Sequence, residues 1–594
     1  MNFNTLPELL TERIRLTPNG EAYRQFDRTR QQWVSYSWGE TGERVARWRS
    51  ALQGENLPRG ARIGVLLPNS IEHVCVDQAA LSLGLVPVPM HVIDNPDSLA
   101  YVLADSAASV LFVSSADQWR ALMPSAEKLP DLRRVVYVSA EGLPPDGIAR
   151  ALGDWLEGSS PPALAEGAAP LDPQALAAIV YTSGTTGRPK GVMLTHANVV
   201  TNVQAIMQAI PVFPTDVFLS FLPLSHTFER TVGYYLPIAA GAAVAFARSV
   251  AQLTQDLATV RPTVLVSVPR IYERANAALH ESTDAHAIRR ALLAAAVELG
   301  WRRFEQARAG ARRSIAVRVF GPALDRWVGA RVRARFGGRL RAAVSGGAPL
   351  TPQVARTFLA LGVPILQGYG MTETSPVVAC NRPDDNAPES VGRPLAGVEV
   401  RIGDQAELLV RGPNVMRGYW QRPEDTAQVL EPDGWLHTGD QAQIVAGRIV
   451  IRGRIKDILV TSTGEKIAPV DLESAILADP AFEQAIVIGE GRPYIAALLV
   501  LNRGEWEREA RRLGLDPQDD ASLRSKAAVD WALTRVAEAV RALPRYAQPR
   551  AVSLSIEPWT VGAGLITPTL KPKRPALEAH FRQAIEELYR GHTV

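Results

Sequence analysis

Ala177-Ala-Ile-Val-Tyr-Thr-Ser-Gly-Thr-Thr-Gly-Arg-Pro-Lys190-Gly191 is an apolar run that breaks into glycine, threonine and serine and closes on a lysine. The run Ala177–Val180 reads as a strand, and the loop from Thr182 to Gly191 leads toward a helical stretch starting near Ala197. Glycines 184, 187 and 191 let the backbone come close to a ligand, while Thr182, Ser183, Thr185 and Thr186 offer hydroxyls and Lys190 a point charge. Together they predict a polyphosphate cradle. It is not a Walker A loop, in which Gly-Lys is followed by Ser or Thr, because Lys190 follows proline and precedes glycine.

Around this stretch, from residue 60 to about 375, short β-branched runs alternate with helical patterns: Arg62–Leu67, Val110–Val113, Val135–Val138, Thr263–Val268 and Arg341–Val344 join Ala177–Val180. Such runs suit parallel strands covered on both faces, so the region reads as α/β, with ligands beyond the carboxyl ends of the strands. After about residue 390, Gly397–Ile402, Ala406–Gly412 and Gly447–Arg452 predict a small β subdomain. Beyond Arg454 the pattern becomes α+β: a helix from about Val470, strands at Gln484–Ile488 and Ile495–Val500, then helices to the end. The sequence thus predicts a large N-terminal α/β domain over 1–454 and a separate C-terminal α+β domain over 455–594.

The chain has 594 residues, 46% of them apolar, and a net charge of only +3, which gives no general case for a nucleic-acid partner. Two distant cysteines, Cys75 and Cys380, predict neither a disulfide framework nor a zinc site. The N-terminus lacks a basic start and an apolar signal core, and no stretch approaches the roughly 18 apolar residues of a membrane span, so a cytoplasmic protein is expected. Only seven of the 64 basic residues are lysine, so a retained lysine stands out against an arginine background. The segment from about 285 to 341 carries fourteen arginines against Glu298, Glu305 and Asp325, with Trp301, Phe304, Phe320, Trp327 and Phe336 between them. It reads as a basic helical insertion that either presents a solvated face or makes peripheral contact with anionic membrane.

Six motifs in one order resemble the adenylate-forming superfamily of acyl-CoA synthetases, nonribosomal-peptide adenylation domains and beetle luciferases. They are Tyr181–Gly191, Ser345-Gly346-Gly347-Ala348-Pro349, Gln367-Gly368-Tyr369-Gly370-Met-Thr372-Glu373, Gly434–Asp440, Gly453–Asp457 and Thr567–Lys571. The chemistry of several motifs agrees with that family without its help. An exposed Tyr369 between glycines can stack on a purine, Glu373 is a hard oxygen ligand for Mg²⁺, Thr372 offers a hydroxyl to the α-phosphate, and Asp440 can accept from both ribose hydroxyls.

The resemblance implies the rest. Arg454 contacts the nucleotide, Lys456 is the hinge of the C-terminal domain, and Lys571 reaches the carboxylate and α-phosphate during adenylation, with Lys573 as a nearby rival. Thr185 and Glu373 form the metal pair, and the loop Thr463-Gly-Glu-Lys466 is brought to the thiol acceptor after rotation. Phe221–Arg230 and Val268–Arg274 resemble the long-chain branch, in which His226 lies where acyl carbon, phosphate and thiol meet, unless it is structural. Tyr234 and Leu236 line an acyl channel or pack in the core. The expected substrates are ATP, a long-chain fatty acid and coenzyme A, with Mg²⁺. The alternatives are a carrier-protein phosphopantetheine as acceptor, or a membrane-associated fatty-acid binding protein without catalysis.

Overall fold

The computed structural model describes residues 3–139, 147–157, 170–182, 188–284, 287–462, 464–541, 543–567 and 572–590. Five parallel strands form one sheet in the order Val86–Pro89, Arg62–Leu66, Ala108–Val113, Arg134–Tyr137, Ala149–Ala151. A second sheet has nine strands, and its centre, Ala243–Phe246, Val217–Ser220, Val264–Ser267, Ala342–Ser345 and Ile365–Gly370, is also parallel. These strands are almost wholly apolar because both faces are covered, as their sequences predict.

Antiparallel strands finish that sheet at both edges. At one edge Gly370 must lie against Val377–Cys380, where a Cβ would come within 1.9 Å of the Pro376 carbonyl, so only glycine allows the pairing. Glu399–Ile402, Glu407–Arg411, Leu436–Val445 and Arg448–Arg454 make the expected small antiparallel sheet.

Two expectations fail. Leu176–Thr182, which contains the Ala177 run, is not a parallel strand; it pairs antiparallel with Lys190–Thr195, a second strand that the sequence reading lacks, and helix His196–Ala209 then starts where expected, near Ala197. Its two faces enter different cores, with Ala178 and Val180 on one side and Ile179 on the other, so its composition imitates a parallel strand. Thr195 then caps the helix: its hydroxyl accepts from Asn198 N at 3.1 Å while the Asn198 side chain accepts from Thr195 N at 2.9 Å. Near the C-terminus the helices are interrupted by strand Ala551–Ser555, which runs parallel to Ala496–Leu501. Its alternating Ala-Val-Ser-Leu-Ser is too weak a signal without the central strand it pairs with.

Residues 459–589 supply two core clusters of their own, built on Trp506 and on Trp559. Helix Ala287–Arg308 of the basic segment packs on helix Pro352–Ala360, and at their crossing a Cβ on Gly300 would come within 2.0 Å of the Ala360 carbonyl. Cys75 and Cys380 are buried free thiols.

Helix Ile71–Ser82, which follows strand Arg62–Leu66, meets the π-helical turns Glu229–Tyr235 through a wholly buried charge pair. The Asp77 carboxylate accepts from Arg230 and from the hydroxyls of Tyr235 at 2.9 Å and Tyr234 at 3.2 Å, and Gln78 donates to Tyr234 at 2.7 Å. Tyr234 and Leu236 therefore belong to the core. Next to the pair, Glu229 is fully buried with no partner in hydrogen-bond geometry on either oxygen among the described residues, and burial pushes its carboxyl up to about 8, opposed by the Ser220 hydroxyl.

Deleting one member of a buried pair strands the other charge, so Asp77→Ala is expected to cost about 3–5 kcal/mol in chemical denaturation. A loss below about 1 kcal/mol would show that the pair does not hold the two elements together. For Glu229, the folded pKa of about 8 lies above the ordinary 4.5, so the native chain keeps a proton that the unfolded chain releases. That contribution is whole below pH 4.5 and is lost as pH rises toward about 8. Glu229→Gln should therefore gain stability relative to the unsubstituted chain between pH 5 and 8, by several kcal/mol, in denaturation midpoints taken at both pH values. An equal difference at the two pH values would count against a neutral buried acid.

Candidate active site

The carboxyl ends of the parallel strands open on one cavity of about 3010 Å³, bounded by Ser220, Val268, Gly347 and Gln367. Most of the residues singled out in the sequence line it: Thr182, Lys190, His226, Gly347, Ala348, Pro349, Gln367, Gly368, Tyr369, Gly370, Thr372, Glu373, Asp440 and Arg454. Gly346 sits behind the wall, against the Phe228 ring. Lys466 begins the short strand Lys466–Ile467, and the backbone of Lys456 lies in the turn Ile455–Asp457 at the end of the β subdomain. Ser183, Gly184, Thr185, Thr186 and Lys571 fall outside the described residues.

One wall is the hairpin. The Tyr181 hydroxyl donates to Asp105 at 2.6 Å, and Arg422 pairs with the other oxygen of that carboxylate at 2.6 Å. Gly418–Tyr419 adds a third strand beside Val192 and Met193. This anchoring places Lys190 at the start of a strand, with its Nζ 2.8 Å from Asp425 and over the Tyr419 ring at 5.2 Å. Its ammonium is thus held by an exchangeable surface pair, from which a polyphosphate would draw it.

The opposite wall carries the carboxylates. Glu373 lies in the turn Thr372–Thr374 just after strand Ile365–Gly370 and accepts the Tyr419 hydroxyl at 2.8 Å. Burial holds its carboxyl above the usual range, with the Tyr419 hydroxyl among the opposing causes. Among the described residues no cation pairs with it and no group of three metal-ligating side chains exists. One buried carboxylate at the wall of an open cavity fits Mg²⁺ carried in on a nucleotide, rather than a metal held by protein ligands alone.

Asp440 and Arg454 face each other across two paired strands, with Nε 3.0 Å from Oδ1. The Tyr369 hydroxyl donates to the other oxygen at 2.5 Å, and the Asp440 backbone N–H is held by Thr438 at 3.1 Å. Tyr369 is therefore not exposed as expected: it is half-buried and tethered, and burial together with the Asp440 charge holds its phenol far above the ordinary range. The tether fixes the plane of the ring at the cavity wall. Each Asp440 oxygen keeps a lone pair for a ligand hydroxyl.

His226 closes the cavity on the side of the buried Arg230, and its Nδ1 accepts from the Phe228 backbone at 3.3 Å. In the neutral ring this leaves the proton on Nε2. Beside it His91, whose Nδ1 lies 2.8 Å from the Ser225 hydroxyl, is pushed down to about 4 by burial and stays neutral near pH 7. Residues from the C-terminal domain reach the same space, among them Thr567, Pro572 and Lys573. Tyr419, Asp425 and His91 were missed in the sequence. Each meets its partner through long-range packing, and no local pattern marks it.

Comparison with known proteins agrees with this geometry. The family described as AMP-binding enzyme matches residues 10–420, and the AMP-binding enzyme C-terminal domain matches residues 456–593. The long-chain-fatty-acid–CoA ligase FadD15 of Mycobacterium bovis is 31% identical over 94% of this chain and 92% of its own length. The peroxisomal long chain acyl-CoA synthetase 6 of Arabidopsis thaliana is 32% identical over 94% and 82%. The crystal structure of the anthranilate CoA ligase AuaEII in complex with anthranoyl-AMP shares the fold, with a TM-score of 0.73 at 22% identity over 98% of each chain. By sequence and by fold, the chain belongs to the AMP-binding, adenylate-forming enzyme family, in the branch that holds the long-chain acyl-CoA ligases.

Proposed function

We propose that this protein activates a long-chain fatty acid with ATP as its acyl-adenylate and transfers the acyl group to coenzyme A, releasing AMP and diphosphate. Supporting the reading are the two named relatives and a cavity lined in common by Lys190, Glu373, Asp440 and Arg454. In the first step a carboxylate oxygen attacks the α-phosphorus and diphosphate leaves. Two anions must approach, so a cation between them stabilises the transition state more than the ground state. Lys571 is that cation in our reading, because Thr567 and Pro572, on either side of it in the chain, both line the cavity.

Asp440 and Arg454 orient the ribose, the tethered Tyr369 ring supports the base, and Thr372 donates to the α-phosphate. Glu373, with Thr185, would hold Mg²⁺, which neutralises charge on the polyphosphate when bound. In the second step the thiolate sulfur attacks the acyl carbon and AMP leaves, with His226 beside the acyl carbon. Rotation about Lys456 withdraws Lys571 and brings Lys466 toward the acceptor, so one cavity serves both steps. A water-insoluble acid also implies peripheral contact with an anionic membrane.

The test separates the steps. Lys571→Ala is expected to lose acid-dependent ATP–pyrophosphate exchange about 100-fold or more, yet to convert supplied acyl-AMP and coenzyme A to thioester at a near-normal rate. Near-normal exchange in that variant, with loss in Lys573→Ala, would transfer the role to Lys573. Acyl-AMP that accumulates without thioester in the presence of free coenzyme A would point to a carrier-protein acceptor.

A further inference from the structure

Four of the five most exposed large apolar side chains among the described residues lie within one stretch of thirteen: Ile315 at 80%, Val319 at 60%, Phe320 at 61% and Trp327 at 62% exposed. The fifth, Ile288, lies at the start of the 22-residue helix Ala287–Arg308, outside that stretch. The short helix Ile315–Val319 buries Val317 and turns Ile315 and Val319, four residues apart, to solvent. A helix that packs against a protein core presents its polar side outward; this one presents its apolar side.

The charges around the patch are equally one-sided. Arg312, Arg313, Arg318, Arg326 and Arg331 are exposed. Among the described residues none has a carboxylate within ion-pair distance, and Arg331 instead stacks on Trp327 at 5.5 Å. Two of the segment's three acids are already engaged, Glu298 with Arg302 and Arg356, and Asp325 with Arg303 and Arg333, and the third, Glu305, is exposed on helix Ala287–Arg308. Behind the patch the fold is firm. Helices Ile315–Val319 and Gly321–Leu324 both contact helix Ala287–Arg308 and Val317 is buried, so the exposed side chains stand on a packed base.

We infer that this face, Ile315 to Trp327 with its surrounding arginines, is a docking surface for an anionic lipid bilayer, entered by insertion of Ile315, Val319, Phe320 and Trp327. Aliphatic and aromatic side chains ringed by unpaired cations match the apolar interior and anionic headgroups of a membrane interface. A second copy of the chain would set arginines against arginines across a two-fold axis. Nucleic acid has no use for protruding Ile315 and Val319. The inference rests on the fatty-acid reading only for its purpose, since an acid held in a bilayer is met where it resides.

The probe is sedimentation with vesicles of equal parts phosphatidylglycerol and phosphatidylcholine, using the full chain at low and high salt. The protein is expected to partition onto these vesicles, more weakly as salt rises, and not onto phosphatidylcholine alone. Two variants, Val319→Ser with Phe320→Ser and Trp327→Ser, and Arg312→Glu with Arg313→Glu and Arg318→Glu, should each partition about tenfold or more less well. Both should keep their circular dichroism and their ATP–pyrophosphate exchange with detergent-dispersed acid. Unchanged partition in either variant, equal binding to phosphatidylcholine alone, or retention of duplex nucleic acid without vesicles would overturn the inference. Loss of exchange in the unsubstituted protein, with vesicle binding intact, would overturn the ligase reading and leave the surface standing.

Discussion

A carboxylate with no access to water must be neutralised or paired, and Asp77 is paired on every side. Its partners, Arg230, Tyr234 and Tyr235, belong to one π-helical segment, while Asp77 belongs to a helix of the first parallel sheet. The ion pair therefore sets the position of the segment just beyond His226 relative to that sheet. A single apolar contact would permit sliding by an ångström; a buried charge held by three donors does not. The cavity wall at Ser225, His226 and Phe228 inherits that constraint.

The other walls are fixed by shared acceptors. Asp105 ties the Tyr181 strand to Arg422, and Glu373 and Lys190 both contact Tyr419. Asp440 gathers Tyr369 and Arg454. In each case one side chain joins elements far apart in sequence, so the charged groups face a common space at low reorganisation cost when phosphates enter. Such preorganisation suits a reaction in which negative charge must be held while two anions approach.

Much of the fold was legible because burial writes itself into composition. Runs such as Val264–Ser267 and Ala342–Ser345 could only be covered on both faces, and they are. The same rule misled at Ala177–Val180, since two-sided burial does not record which way the neighbouring strand runs. Strand Ala551–Ser555 was hidden for the opposite reason: two of its five residues are polar, and it is a strand only because Ala496–Leu501 offers it an edge. Of the site, the motif residues were visible through their order along the chain. Tyr419, Asp425 and His91 were not, because their roles exist only through partners brought to them by packing.

The sequence by itself determined the chemistry on offer: a glycine and hydroxyl loop with one lysine, an isolated acidic residue after Gly-Tyr-Gly, an aspartate in a Thr-Gly-Asp turn, and a distant lysine near the end. These are local properties of residue type and spacing, and the order of the motifs sufficed to tie them to one family. Tertiary structure alone decided which of these groups share a cavity, that Tyr369 is tethered rather than free, and that Tyr234 serves the core rather than a channel. It also decided that the arginine-rich segment turns its apolar side chains outward. The reason is physical: pairing, burial and facing depend on what lies across a gap in space, and separation along the chain carries no record of that distance.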